Sequence, residues 1–198
     1  MHYIIKMIAT LMIPIFMQTS VVNIVDTTPR EAIDDFFAGL TTGDDQVTER
    51  YMDNTYVNLL ENITGDEEVV DRMYAAVFDK FSYKVEKIVE EDEVAAAKVT
   101  VTSSDFSKVL DAYNEASYAY VMDSLYTDEI ADKEALNAKC LGMYVQQIEA
   151  AAQSETTVET VIYLPLADDG YYGWSILLTD ELMKSIVGNL AMPIDISN

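Results

Sequence analysis

The sequence predicts an α+β fold in which N-terminal helices pack on a four-stranded antiparallel sheet, with a helical hairpin inserted between the second and third strands. Three patterns predict this fold. Capping signals and helical periodicity occupy residues 28–78, alternating residues typical of strands follow, and helical periodicity returns over residues 105–153 before two further strands. Because 50% of the 198 residues are hydrophobic, the chain can form one sizeable core, and we expect a single domain over residues 28–190.

Three helices are expected before the first strand. The first helix has Thr28 as its N-cap, Pro29 at the first helical position and Glu31 three residues after the cap, which is the arrangement of a capping box. N-cap signals at residues 42–45 and 64–67 precede the second and third helical patterns. The apolar face of the first helix consists of Ala32, Ile33, Phe36, Phe37 and Leu40.

Four strands are expected from runs of β-branched and aromatic residues. Residues 82–90 and 94–103 predict a hairpin, and irregular spacing of the apolar residues in its first strand indicates a β-bulge. Residues 155–166 predict the third strand, and an Asp-Asp-Gly turn leads into a fourth strand that includes Tyr172, Trp174, Ile176 and Leu178. A final short helix should end at Gly188. The inner face of the second strand is predicted to be Ala95, Ala97, Val99 and Val101.

Residues 105–153 contain two amphipathic helical patterns separated by a helix-start signal at residues 127–129. Aromatic residues at helical spacing usually belong to a core, so we interpret the tyrosine-rich first pattern as buried packing and not as a ligand-stacking surface. The inner stripe of the first helix is predicted to be Phe106, Val109, Leu110, Tyr113, Ala116, Tyr120 and Val121. The inner stripe of the second helix is predicted to be Leu136, Cys140, Met143, Tyr144, Gln147 and Ala151.

Residues 1–20 have the three parts of an export signal: a polar start with Lys6, an apolar stretch, and small or polar residues ending at Ser20. The apolar stretch is interrupted by Pro14 and is shorter than the roughly 20 residues of a membrane-spanning helix. We therefore expect cleavage of this segment and a secreted or cell-envelope protein. An uncleaved N-terminal anchor and a buried N-terminal strand are the alternatives.

The strong acidity of the chain restricts its partners. Its formal net charge is -23, from 35 acidic and 12 basic residues. A surface of this charge repels polyanions, which excludes nucleic acid as a partner. The content of aromatic and aliphatic residues is high enough to offset chain entropy, so the acidity indicates a solvated surface of a folded protein.

Residues for nucleophilic or metal chemistry are scarce. The chain has one His, His2 in the expected export segment, and one Cys, Cys140 in a helical pattern. A Ser-His-Asp or Cys-His relay needs an imidazole, and transition-metal sites usually need His or Cys ligands. The acidic clusters lack the spacing of an EF-hand loop and fit helix caps and turns instead. We therefore expect no catalytic residues of these classes, no metal and no cofactor.

One catalytic alternative needs no histidine. A carboxylate whose pKa is raised in an apolar cavity, paired with a tyrosine donor, can transfer a proton. The candidates for such a pair are Asp34 or Asp35 with Tyr51 or Tyr74.

The order of these motifs resembles the NTF2-like superfamily, which is also described as cystatin-like or ketosteroid-isomerase-like. More narrowly, the chain resembles exported lipoproteins of Gram-positive bacteria whose domains have no assigned function. Those lipoproteins carry a lipidated Cys after the signal, whereas this chain has no Cys near Ser20. The resemblance covers residues 28–190 and rests on the Thr28-Pro29 helix with Phe36-Phe37, the Thr42-Gly43-Asp44 segment, Asp169-Gly170 and Trp174-Ser175-Ile176.

This resemblance implies helices packed across a curved antiparallel sheet, so that the two layers form a cone able to hold a small molecule. The residues expected to line the cone are Phe37, Tyr74, Phe78, Tyr163 and Trp174.

The sequence therefore predicts a non-catalytic, extracytoplasmic binding or accessory domain. Its partner would be a small molecule or a protein of the cell envelope, and it would touch the membrane only through its N-terminal segment. One alternative is a histidine-free enzyme of the isomerase or dehydratase type that uses a buried carboxylate. Another is a protein-interaction module that uses the helical hairpin, for which an exposed apolar patch within residues 105–153 would be the distinguishing feature.

Overall fold

The computed structural model describes residues 27–62, 67–127, 132–170 and 173–193. The expected export segment and most of the third N-cap signal lie outside these residues. The elements in chain order are α1 (Pro29–Thr42), α2 (Asp45–Arg50), α3 (Thr55–Asn62), α4 (Glu67–Phe78), β1 (Ser82–Glu91), β2 (Val94–Ser104), α5 (Val109–Ser124), α6 (Lys133–Gln153), β3 (Thr157–Asp168), β4 (Trp174–Ile176) and α7 (Asp180–Ile186).

The four strands form one antiparallel sheet in the order β1-β2-β3-β4, which confirms the predicted α+β class and its four-stranded antiparallel sheet. The register of β1 against β2 shifts between Val85 and Lys87, so the predicted bulge is confirmed. The predicted inner face of β2 is buried throughout. β4 has only three residues and is shorter than the predicted fourth strand.

Helix α1 begins as its sequence predicts. The backbone N–H of Glu31 donates to Thr28 Oγ1 at 3.2 Å, and the backbone N–H of Thr28 donates to Glu31 Oε2 at 2.8 Å, which completes the capping box. Four of the five residues of its predicted apolar face are buried, namely Ile33, Phe36, Phe37 and Leu40. This face anchors α1 in the core.

Among the described residues, four helices precede the first strand, so the expectation of three over residues 28–78 was wrong. The missed helix is α3, which has no local capping box. Its first N–H group, that of Thr55, donates at 3.0 Å to the carboxylate of Asp180, which is 125 residues further along the chain. Asn54 Oδ1 accepts from the next two N–H groups of the helix. Asn54 is therefore a local N-cap that sequence analysis overlooked, whereas the additional contact with Asp180 is one that local sequence does not contain.

Helices α5 and α6 stand between β2 and β3 in the chain and pack against each other, and α6 also packs against α4. The predicted inner stripe of α5 is buried or partly buried throughout. The predicted stripe of α6 is also buried or partly buried throughout, but most of the deeply buried residues lie one position further along the helix, which faces α4 as well as α5. The buried residues of α6 are Leu141, Tyr144, Val145, Ile148 and Ala152.

The core lies between the helices and one face of the sheet. Burial alternates along β2 and β3, so every second side chain of these strands faces the helices and the others face solvent. Among the described residues, no helix is both long enough and apolar enough to cross a membrane. The largest fully buried side chains include Phe37, Leu40, Met73, Phe106, Tyr144, Ile148, Leu164 and Leu166.

Candidate functional site

The main candidate site is a cavity of about 550 Å³ between α1, α2 and β4, which we call the β4 cavity. Its volume lies within the range of about 300–1,000 Å³ that is typical of small-molecule sites. The apolar wall of the β4 cavity includes Ala32, Phe36, Val47 and Trp174. Its polar lining includes Asp35, Asp44, Gln46, Arg50 and Tyr51.

The close crossing of α1 and α2 forms one wall of this cavity. Gly39 permits the crossing, because a Cβ atom at this position would lie 2.7 Å from the Cβ atom of Val47 on α2. Immediately after α2, the ring of Tyr51 packs edge-on against Phe36 of α1, with ring centroids 5.1 Å apart. A small residue on α1 and an aromatic pair at the end of α2 thus fix the geometry of this wall.

The free edge of β4 is capped by hydroxyl groups and not by another described strand. The N–H of Trp174 donates to Thr27 Oγ1 and the N–H of Ile176 donates to the Tyr51 hydroxyl oxygen, each at 3.1 Å. Burial raises the pKa of the Tyr51 hydroxyl above its ordinary value, so this group stays protonated at neutral pH. Its proton remains available for donation to a ligand in the β4 cavity.

Tyr51 and Arg50 also line a second cavity of about 560 Å³, which lies between β4 and the beginning of α7. Arg30 and Arg72 form ion pairs with carboxylates, whereas Arg50 has no ion pair among the described residues. Two exposed carboxylates, those of Asp35 and Asp44, also lie on the β4 cavity. The side chains of this cavity therefore carry one positive and two negative charges.

The structure does not bring the five predicted cone residues together. Trp174 lines the β4 cavity, while Tyr74 and Phe78 line a different cavity of about 590 Å³ beside α4. Phe37 is fully buried among the rings of neighbouring aromatic residues. Tyr163 lies on the solvent face of the sheet with 65% of its surface exposed.

The structure brings only some of the predicted carboxylate–tyrosine pairs into the same cavity. Asp34 accepts a hydrogen bond of 2.8 Å from the hydroxyl of Tyr83, a residue that the sequence did not suggest, and its other carboxylate oxygen accepts from Arg30. Asp35 and Tyr51 line the same cavity, whereas Tyr74 lines another. Asp35 with Tyr51 is thus the predicted pair that shares a cavity.

Replacing Tyr83 by Phe is expected to lower the stability of the protein below pH 10 and to have a smaller effect at higher pH. Burial, followed by the hydrogen bond to Asp34, raises the pKa of the Tyr83 hydroxyl to about 12 in the folded state. A raised pKa stabilises the fold below the unfolded value of about 10, and this stabilisation is lost as the pH rises through 12. Since the pair is partly exposed, Tyr83→Phe should cost about 1 kcal/mol at neutral pH.

Urea unfolding of the wild type and of Tyr83→Phe at a series of pH values measures this effect. The difference in unfolding free energy should be constant below pH 10 and should shrink between pH 10 and 12. A difference that stays unchanged over this interval would show that the Tyr83 hydroxyl does not titrate with a raised pKa.

Within the described residues, no group of three or more His, Cys, Asp or Glu side chains is placed to hold a metal ion. Cys140 is partly buried on α6. Of the polar lining of the β4 cavity, sequence analysis named Asp35 and Tyr51 as candidates but missed Asp44, Gln46 and Arg50, and it did not predict the cavity itself. The only local signal was the apolar pattern of Val47 and Tyr51, which predicts that α2 packs on the core but not that its end meets β4.

Comparison with protein-family models, with curated proteins and with solved structures found no match to this chain. The resemblance to the NTF2-like superfamily therefore stays a prediction, and the function has to be inferred from the geometry of the sites.

Proposed function

We propose that this protein is an extracytoplasmic, non-catalytic binding domain whose ligand site is the β4 cavity. The observation that carries the proposal is the composition of this cavity. The rings of Phe36 and Trp174 offer an apolar wall, and the carboxylates of Asp35 and Asp44 lie on the same cavity. A small molecule with an apolar body and a protonated amine would satisfy both parts of the lining.

The charge of the whole chain supports a cationic ligand. With a formal net charge of -23, the protein attracts cations and repels anions over long distances. The single guanidinium of the cavity, that of Arg50, lies where the β4 cavity meets the second cavity. It would contact the distal end of a ligand, while the amine would be bound by Asp35 and Asp44.

The NTF2-like architecture with an inserted helical hairpin belongs to the same proposal. It is supported by helices that precede an antiparallel four-stranded sheet and by two helices between β2 and β3. The extracytoplasmic location is supported by the composition of residues 1–20, which fits a cleaved signal or an N-terminal anchor.

Filling the β4 cavity should weaken ligand binding without unfolding the protein. Ala38 is an exposed residue of α1 that lines this cavity, so a Trp at this position would occupy the space of a ligand while leaving the core intact. Aromatic and aliphatic amines, each tested beside its carboxylate analogue, are titrated by calorimetry. We expect the amines to bind more tightly than the carboxylates, and Ala38→Trp to weaken amine binding by about tenfold or more.

The matched control is Ala138→Trp, because Ala138 is an exposed helical alanine of α6 that lines none of the described cavities. This control should bind amines like the wild type. Binding that is unaffected by Ala38→Trp, equal affinity for amines and carboxylates, or no binding of any panel member would each refute the proposed site.

The histidine-free enzyme is the competing function, since Asp35 and Tyr51 line the same cavity. Mass spectrometry of each bound compound after incubation distinguishes the two functions. A binding domain returns its ligand unchanged. Chemical conversion that Asp35→Asn abolishes would instead identify an enzyme that uses this carboxylate as a base.

A further inference from the structure

The end of helix α5 presents large apolar side chains to solvent. Tyr118 and Met122 are 68% and 48% exposed, and the following Leu125 and Tyr126 are 42% and 98% exposed. These four residues, which we call the α5 stripe, are spaced at i, i+4, i+7 and i+8, so they lie along one side of the helix and its C-terminal turn. The other large exposed apolar residues in the part of the chain that the structure describes lie on or beside the sheet.

The α5 stripe is not needed to hold α5 in the fold. The opposite side of the helix is the buried one, and it includes Val109, Tyr113 and Ser124. The ring of Tyr113 packs edge-on against Tyr144 of α6, with centroids 5.5 Å apart. Because this inner side already anchors the helix, the exposed apolar side chains have no role in packing within the described residues.

Acidic residues lie on the same side of α5 as the stripe, closer to the N-terminus of the helix. Asp111 and Glu115 are exposed and precede Tyr118 by seven and three residues, which places them in line with the stripe. The third charged residue of α5 is Asp123; the helix itself contains no Lys or Arg, while Lys108 is its N-cap residue and Lys139 of α6 lies over the ring of Tyr120. The outward side of α5 is therefore an ordered surface, acidic in its first half and apolar in its second.

We propose that the α5 stripe docks a basic amphipathic helix of a partner protein. Apolar anchors of that helix at i, i+3 or i+4, and i+7 would pack on the side chains of Tyr118 and Met122. Its Lys or Arg residues would face Asp111 and Glu115. This surface is distinct from the β4 cavity, so the proposal stands independently of the proposed ligand.

Two other occupants of the α5 stripe are a membrane surface and a second copy of this chain. Charge favours a basic helix over both. A membrane with anionic lipids would repel a protein whose formal net charge is -23 and whose helix α5 has three acidic residues. A second copy of this chain would bring together two molecules with a formal charge of -23 each. A basic helix complements both the acidic and the apolar half of the surface.

A synthetic peptide of Leu and Lys, arranged as an amphipathic helix and labelled with a fluorophore, tests the proposal by anisotropy. A peptide with the same composition in scrambled order measures attraction by charge alone. We expect the amphipathic peptide to bind more tightly than the scrambled peptide. The double variant Tyr118→Ser/Met122→Ser should weaken its binding by about tenfold or more, because these residues would be central anchors.

The matched control is Tyr163→Ser, since Tyr163 is as exposed as Tyr118 but lies on the sheet. It should leave peptide binding unchanged. Glu115→Lys should weaken binding of the basic peptide and strengthen binding of an otherwise identical peptide in which Glu replaces Lys. All of these substitutions are at exposed positions, so each variant should retain its fold, which circular dichroism verifies.

Three results would overturn the proposal. The scrambled peptide could bind as tightly as the amphipathic one, which would indicate attraction by net charge alone. Vesicles of phosphatidylglycerol and phosphatidylcholine could bind the wild type but not the double variant, which would indicate a membrane surface. Sedimentation could show a dimer that the double variant dissociates, which would indicate a second copy of the chain.

Discussion

Gly188→Ala is expected to destabilise the fold by about 4 kcal/mol or more, a loss comparable to much of the stability of a typical domain. Gly188 follows α7 with a φ of 64°, a left-handed conformation that costs a non-glycine residue free energy. A Cβ atom at this position would also overlap the backbone carbonyl oxygen of Ser104 and lie 2.9 Å from Ser103 Oγ and 3.1 Å from Phe106 Cδ2.

The surroundings of Gly188 cannot easily move to relieve this overlap. Its carbonyl oxygen accepts a hydrogen bond of 2.8 Å from the N–H of Phe106, so the turn after α7 is bonded to the segment between β2 and α5. The side chain of Phe106 is fully buried. A displaced Gly188 would therefore break this hydrogen bond and disturb a packed aromatic ring.

The same substitution in Gly142 should have the opposite effect. Gly142 lies inside α6, and a Cβ atom there would meet no atom within 4 Å. Gly142→Ala should stabilise the protein by about 0.5–1 kcal/mol, because alanine loses less conformational freedom in a helix. Urea unfolding followed by circular dichroism and by the fluorescence of Trp174 measures both variants. Equal stability of Gly188→Ala and the wild type would refute the tight packing described for this turn.

Local signals predicted the elements whose determinants are close in sequence. The capping box of Thr28 and Glu31, the bulge near Val85 and the inward alternation of β2 were all readable because each depends on residues a few positions apart. Helix α3 was missed although Asn54 is a local N-cap, and only its contact with the distant Asp180 is absent from the local sequence. The predicted face of α6 is buried or partly buried, but which of its residues are deeply buried depends on its neighbour α4, which is distant in sequence.

The candidate site was harder to predict than the fold. Aromatic residues indicate burial but do not indicate which of them meet, and the predicted cone residues lie in several different environments. The position of Tyr163 could have been corrected from sequence alone. Its neighbours Ile162 and Leu164 face the core, so alternation along a strand places the intervening side chain in solvent. The β4 cavity depends on Tyr51 meeting Ile176 across 125 residues, which no local pattern contains.

Phe37→Ala is the second substitution from which we expect a large loss, of about 3–5 kcal/mol. The Phe37 side chain is fully buried between α1 and the sheet, and its ring centroid lies 4.3 Å from that of Tyr83 and 5.5 Å from that of Phe81. Removing the ring would lose its burial and leave a void lined by these neighbours. Urea unfolding at neutral pH measures the loss.

Tyr163→Ala is the matched control, because Tyr163 is another aromatic residue expected to line the cone but is 65% exposed on the sheet. Its loss should be about 1 kcal/mol or less, which is the range of an exposed cross-strand contact. A hollow cone around Phe37 would give a different pattern. In that case Phe37→Ala would change ligand binding and would cost little stability, since a side chain that lines a cavity has fewer packed neighbours to lose. The comparison therefore decides whether the space beneath α1 is a packed core, with ligand binding confined to the cavity beside β4.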